Sequence, residues 1–148
     1  MMSNKKILEW INTLPPEKEI LVSTSLKKIH PIADNIVRRL LDIEAIVHVR
    51  LSETDIQASS EIQTRGRSRL PVSTPGHKSA IGVHLVLDYP YKTIQFHEIT
   101  SAKKGYGEQM VKAVLTSIPE DWQALVAMDY SDGFWDRMIE KYDNLTTV

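Results

Sequence analysis

Lys92-Thr93-Ile94-Gln95-Phe96-His97-Glu98-Ile99-Thr100-Ser101-Ala102-Lys103-Lys104-Gly105-Tyr106-Gly107 is the stretch on which the fold turns. Alternation and β-branched residues predict a strand over Lys92–Thr100. Two glycines then mark a strand-to-helix turn. The helix that follows has a buried face of Met110, Val111, Val114, Leu115 and Ile118, and Pro119 ends it. Ala124–Met128 is a short continuous apolar run, as expected of a central strand. After Ser131-Asp132-Gly133 a second helix repeats the same spacing with Phe134, Trp135, Met138, Ile139 and Tyr142. A strand–helix–strand unit of this kind puts its strands parallel.

Working outward, Ala80–Asp88 reads as a strand joined to Lys92–Thr100 by the turn Asp88-Tyr89-Pro90-Tyr91, an antiparallel hairpin. Residues 57–79 are rich in Ser, Thr, Arg and Gly. They read mainly as loop, with one ragged strand at Glu61–Arg65 and a turn at Pro75-Gly76. Ile46–Leu51 alternates as a strand. The first third reads as helices. Ile7, Leu8, Ile11 and Leu14 keep the helical period, with Ser3 or Asn4 as cap, and Pro15-Pro16 stops them. Ile20, Leu21, Leu26 and Ile29 predict a second helix. Ile32, Ile36, Val37, Leu40 and Leu41 predict a third, running to Glu44. The expected class is α/β (α+β): a mixed sheet with an antiparallel hairpin, flanking helices and a helical N-terminal third. One domain spans 1–148, helical over 1–45, with the sheet over 46–148.

At 148 residues the chain is long enough to bury a core unaided. It has no cysteine, which excludes disulfides, thiolate zinc sites and thiol nucleophiles. No apolar run reaches the length of a membrane span, so a soluble, cytoplasmic protein is expected. The five histidines are scattered, without an i,i+4 pair or an HExxH motif, and no metal site is expected. Net charge is −1, but Arg65, Arg67, Arg69 and Lys78 make residues 62–80 basic, while seven carboxylates from Glu120 to Asp143 make the C-terminal segment acidic. The basic stretch lacks interleaved aromatic residues, so nucleic acid is not the expected partner. An exposed edge strand would leave room for a homodimer.

Glycines where a strand enters a helix let the backbone approach a ligand and turn its N–H groups outward. The helix dipole adds to this, so the place suits an anion such as a pyrophosphate. The missing third glycine and the missing Gly-Lys-Ser/Thr exclude a dinucleotide fingerprint and a P-loop.

Gly105-Tyr106-Gly107 followed by a helix resembles the acetyl-CoA motif of the GNAT superfamily of acyl-CoA N-acyltransferases. Asp129 to Met138, with the aromatic pair Phe134-Trp135, is similar to that superfamily's next motif. The resemblance implies an N-acetyltransferase using acetyl-CoA, with an amine on a small molecule, peptide or protein as acceptor. It further implies that backbone N–H groups of Lys103, Lys104, Gly105, Tyr106, Gly107 and Glu108 bind the pyrophosphate. The pantetheine arm would lie between splayed strands Ile94–Ile99 and Ala124–Met128, with the backbone from His97 to Ile99 polarising the thioester carbonyl. Two positions depart from the motif: Ala102 replaces its usual Gln or Arg, and Trp135 replaces a tyrosine that serves as general acid.

Glu98 or His97 is the candidate base for the amine proton. Strand alternation lets only one of them face the cleft. Tyr130, Ser131 or Tyr142 would stand in for the missing acid, or the thiolate would leave unaided. The alternative is a catalytically silent interaction module of the same fold, which binds a macromolecule or senses acyl-CoA.

Overall fold

The structure is a computed structural model that describes residues 4–148. Its elements in chain order are α1 (Asn4–Ile11), β1 (Glu19–Val22), α2 (Pro31–Leu41), β2 (His48–Leu51), β3 (Asp55–Ser59), β4 (Ile62–Arg65), β5 (Ser68–Pro71), β6 (Ile81–Asp88), β7 (Thr93–Ser101), α3 (Tyr106–Leu115), β8 (Gln123–Val126), α4 (Phe134–Lys141) and β9 (Leu145–Thr147). Seven strands make one mixed sheet in the order β1-β2-β3-β6-β7-β8-β9, and β4-β5 is a separate hairpin. Strands β2, β3, β6 and β7 are successively antiparallel. At the two ends β1 runs parallel to β2, while β8 and β9 continue parallel to β7.

The strand period of two explains how the sheet is covered. Leu51, Ile56, Leu85, Phe96 and Val126 stand opposite one another in turn across five strands. All five are buried, in one cluster with Ile36, Val37 and Leu40 of α2 and Met110, Val111 and Val114 of α3. The intervening positions, among them Arg50, Gln57, His84 and Gln95, are polar and half-buried. One face therefore carries helices and core, and the other is polar. Gly82 shows why β6 needs a glycine: a Cβ there would lie 2.1 Å from the carbonyl oxygen of Val72. This close approach lets the chain after β5 lie against the polar face.

The N-terminal third is not the helical segment expected. The third helix is present as α2, with His30 as its cap: Nδ1 accepts from the Ile32 N–H at 3.1 Å. The helix expected through Ile20, Leu21, Leu26 and Ile29 is instead the strand β1 and turns. The free edge of β2 supplies its reason. Val47 accepts the Glu19 N–H at 2.8 Å, and Leu51 accepts the Ser23 N–H at 2.9 Å. Asn4 begins α1, and Ser3, the other capping candidate, lies outside the described residues. Residues 57–79 are likewise more regular than a loop, holding the end of β3 and the hairpin β4-β5 around Gly66, whose φ is 60°. Among the described residues no helix is long and apolar enough to cross a membrane.

Side chains also fix the β1 edge. Glu19 Oε1 lies 2.7 Å from His48 Nδ1 and 3.0 Å from Arg69 of β5. Partial burial pushes the Glu19 carboxyl up, but the hydrogen bonds from His48 and Arg69 and the charge of Arg69 outweigh it and hold the value below its ordinary 4.5. A carboxyl depressed on folding stabilises the fold above its unfolded value, and that contribution is lost as pH falls through the folded one. The stability advantage of the native chain over Glu19→Gln should therefore be full at pH 6 to 7 and shrink from about pH 4.5 downward. Urea unfolding of both proteins across this range checks it; a gap that does not change with pH would show that Glu19 is not so held.

Candidate active site

The site follows from one irregularity in β7. Its register with β6 pairs His84 with Glu98 but Leu85 with Phe96, so His97 is an extra residue, a β-bulge. On its other edge β7 pairs with β8 only over Thr93–Phe96, opposite Gln123–Val126. The last link is the Ala127 N–H to the Phe96 carbonyl at 3.3 Å. Beyond it β7 runs on to Ser101, bonded to β6 alone.

A cavity of about 340 Å³ occupies the gap. The segment Phe96–Ser101 forms one side, Met128, Tyr130 and Ser131 the other. Phe134 and Trp135 border it from α4, Gly107 from α3, and Pro75–His77 from the chain after β5. The expectation that only one of His97 and Glu98 faces the cleft fails because the bulge breaks the alternation; both border the cavity. Glu98 Oε2 accepts from the buried Ser73 hydroxyl at 3.0 Å.

Beside His97 lies a polar row across the sheet. Thr54 donates to Asp55 Oδ1 at 2.6 Å, and Asp55 Oδ2 is 2.7 Å from His84 Nε2. A carboxylate only accepts, so His84 donates this bond. Its ring meets the His97 ring edge-on, centroids 4.9 Å apart. Burial pushes the Asp55 carboxyl up, but the bonds from Thr54 and His84, with the charges of His84 and His97, hold it below its ordinary range.

At the start of α3, Gly105 is in the left-handed region (φ 95°), and no side chain caps the helix. The first-turn N–H groups of such a helix have no partner within it. Lys103 and Lys104 are exposed beside this turn and lie outside the cavity lining, as does Tyr106, which packs against the core. Gly107 is helical and faces Phe134; a Cβ on it would meet the ring at 3.0 and 3.1 Å. Ile99 borders the cavity.

The tyrosines divide. Tyr130 borders the mouth, well exposed, with its hydroxyl on Met128 Sδ at 3.2 Å. Tyr142 does not border the cavity. Its hydroxyl donates to Glu108 Oε2 at 3.0 Å, and Lys141 pairs with the same carboxylate. Partial burial and the bond to Glu108 raise the phenol above its ordinary value, while Lys141 and Tyr142 lower Glu108. Both residues therefore tie α3 to α4 beside the site. Trp135, buried at 3 % exposure, packs on Phe96 at 5.1 Å between centroids.

Ser73 and His77 join the site without having been singled out from the sequence, and Thr100 and Met128, the ends of two expected strands, border it with them. Local spacing held no signal for Ser73 and His77, since their bonds to Glu98 and Thr100 span 25 and 23 residues of chain. Among the described residues no group of three or more His, Asp or Glu side chains is placed to hold a metal ion. Tyr142→Phe removes the bond to Glu108 and should lower the melting temperature slightly. Thermal melts of the two proteins check this; an unchanged melting temperature would show that the phenol does not tie the helices.

The chain matches no protein-family model, no curated protein and no solved structure. Its functional reading rests on its own residues and their geometry.

Proposed function

We propose that the chain is an N-acetyltransferase that takes acetyl-CoA into the gap between β7 and β8 and transfers the acetyl group to a primary amine. The observation that carries this reading is the parting of two parallel strands at Phe96 and Val126, beside the uncapped start of α3. A slot between strands leaves unpaired backbone groups on β7 that can bond an extended amide-bearing arm. The adjacent helix terminus offers N–H groups and a positive dipole end to a pyrophosphate, with Lys103 and Lys104 at the rim. The lining fits such a ligand: Phe96, Ile99, Phe134 and Trp135 give apolar walls, and Gly107 lets the Phe134 ring close against α3.

In the transfer, Glu98 takes the proton of the attacking amine, directly or through water, and Ser73 holds its other oxygen in place. The new bond is nitrogen to carbonyl carbon, and the carbon–sulfur bond breaks. Backbone N–H groups of the bulged segment His97 to Ile99 stabilise the oxyanion. His97, backed by His84 and Asp55, is the second group able to accept a proton at this end. Trp135 is a poor proton donor, and Tyr142 is held elsewhere by Glu108, which leaves Tyr130, Ser131 or solvent to protonate the thiolate.

The packing of Trp135 into the core and the loss of the polar side chain at Ala102 favour a second reading, an interaction module of the same architecture without catalysis. Calorimetry separates the two. Acetyl-CoA should bind with micromolar affinity, and Gly107→Trp, whose side chain must push the Phe134 ring out of its place in the cavity wall, should abolish it. Absence of binding at millimolar ligand would exclude the enzyme. Given binding, Glu98→Gln should lower turnover about 10²–10⁴-fold, and unchanged turnover would remove Glu98 from the mechanism.

A further inference from the structure

The loop after β5 puts into the cavity a side chain whose hydrogen bonding is already fixed. His77 borders the cavity together with Gly76, Glu98 and Thr100. Its own N–H donates to Thr100 Oγ1 at 3.1 Å, which anchors the loop to β7. Its ring nitrogen Nδ1 accepts the backbone N–H groups of both Ser79 (3.2 Å) and Ala80 (3.0 Å). A nitrogen that accepts hydrogen bonds carries no proton, so the proton of the neutral ring is on Nε2.

Among the described residues nothing bonds to that Nε2–H, and no buried side-chain nitrogen or oxygen is left without a partner. The half-buried His77 therefore opens its one remaining donor to solvent. The same reasoning applies to Glu98: Ser73 occupies Oε2, and Oε1 stays open. The cavity is thus bordered by one N–H donor and one carboxylate acceptor, both held by the same loop against the same stretch of β7.

We infer that His77 is a binding residue for the acceptor, donating through Nε2–H to a carbonyl oxygen next to the amine that Glu98 receives. The acceptor class is then an α-amino carbonyl compound, such as an amino acid amide or the N-terminal residue of a peptide. A plain alkylamine satisfies Glu98 but leaves the His77 donor to water, forgoing one hydrogen bond to the acceptor. This inference rests on the acetyltransferase reading and adds the acceptor to it.

The test measures CoA release from acetyl-CoA with glycinamide and with n-propylamine, in the native protein and in two variants. His77→Asn keeps an acceptor oxygen where Nδ1 serves the loop but deletes the Nε2–H. His77→Gln can place an amide N–H near the Nε2 position. The native protein should favour glycinamide by roughly two- to tenfold in kcat/KM. His77→Asn should lose most of that preference with Ser79 and Ala80 amide exchange unchanged, and His77→Gln should keep part of it. The two amines differ in basicity, but equally for every protein, so the change in ratio between proteins reads the contact. An unchanged ratio in His77→Asn overturns the inference. So does a native protein that binds acetyl-CoA but uses neither amine, a result that leaves the cofactor site standing. No binding of acetyl-CoA removes both readings together.

Discussion

The site depends on how β7 divides its hydrogen bonds between two neighbours. Against β6 the strand stays paired from Thr93 to Ser101, absorbing one extra residue at His97. Against β8 it pairs for only four residues. The extra residue turns the strand locally, and the outer half of β7 parts from β8 while still anchored on its other side. A sheet that stayed paired through Ser101 would seal the gap, and the start of α3 would have no cleft beside it.

What holds β7 in this arrangement is the core beneath it. Phe96 sits in the row from Leu51 to Val126 and also carries Trp135 of α4, so the point where the strands part is anchored in the core. On the polar face the chain after β5 serves a similar purpose with hydrogen bonds, through Ser73 on Glu98 and His77 on Thr100. Apolar packing fixes the inner end of the site, and a polar strap fixes its outer side.

The C-terminal half could be read from the chain because its signals are local. The alternation through Ile94 and Phe96, the left-handed glycines 105 and 133 before helices, and the stripe from Met110 to Leu115 each specify an element on their own. The N-terminal strand could not. Glu19–Val22 is four residues long, too short to show a period, and its apolar residues also fit helical spacing with Leu26 and Ile29. Only the free edge of β2, 29 residues later, makes it a strand. The bulge was hidden for the same reason: His97 and Glu98 look like ordinary alternation until β6 imposes its register. Both candidate bases were legible as residue types, but their shared access to the cavity was not. Tyr142 is the converse case, with suitable chemistry and a position decided by Glu108 across a helix pair.

The proposed function places acetyl-CoA where β7 and β8 part. Amide chemical shifts of the ¹⁵N-labelled protein, followed during titration with acetyl-CoA, test that placement. Shifts should concentrate at His97–Ile99, Tyr106–Glu108 and Met128–Ser131, with the β1-β2 edge unmoved. No shifts at millimolar ligand, or shifts gathered instead around the separate hollow between Lys27, His30 and Tyr89, would contradict it.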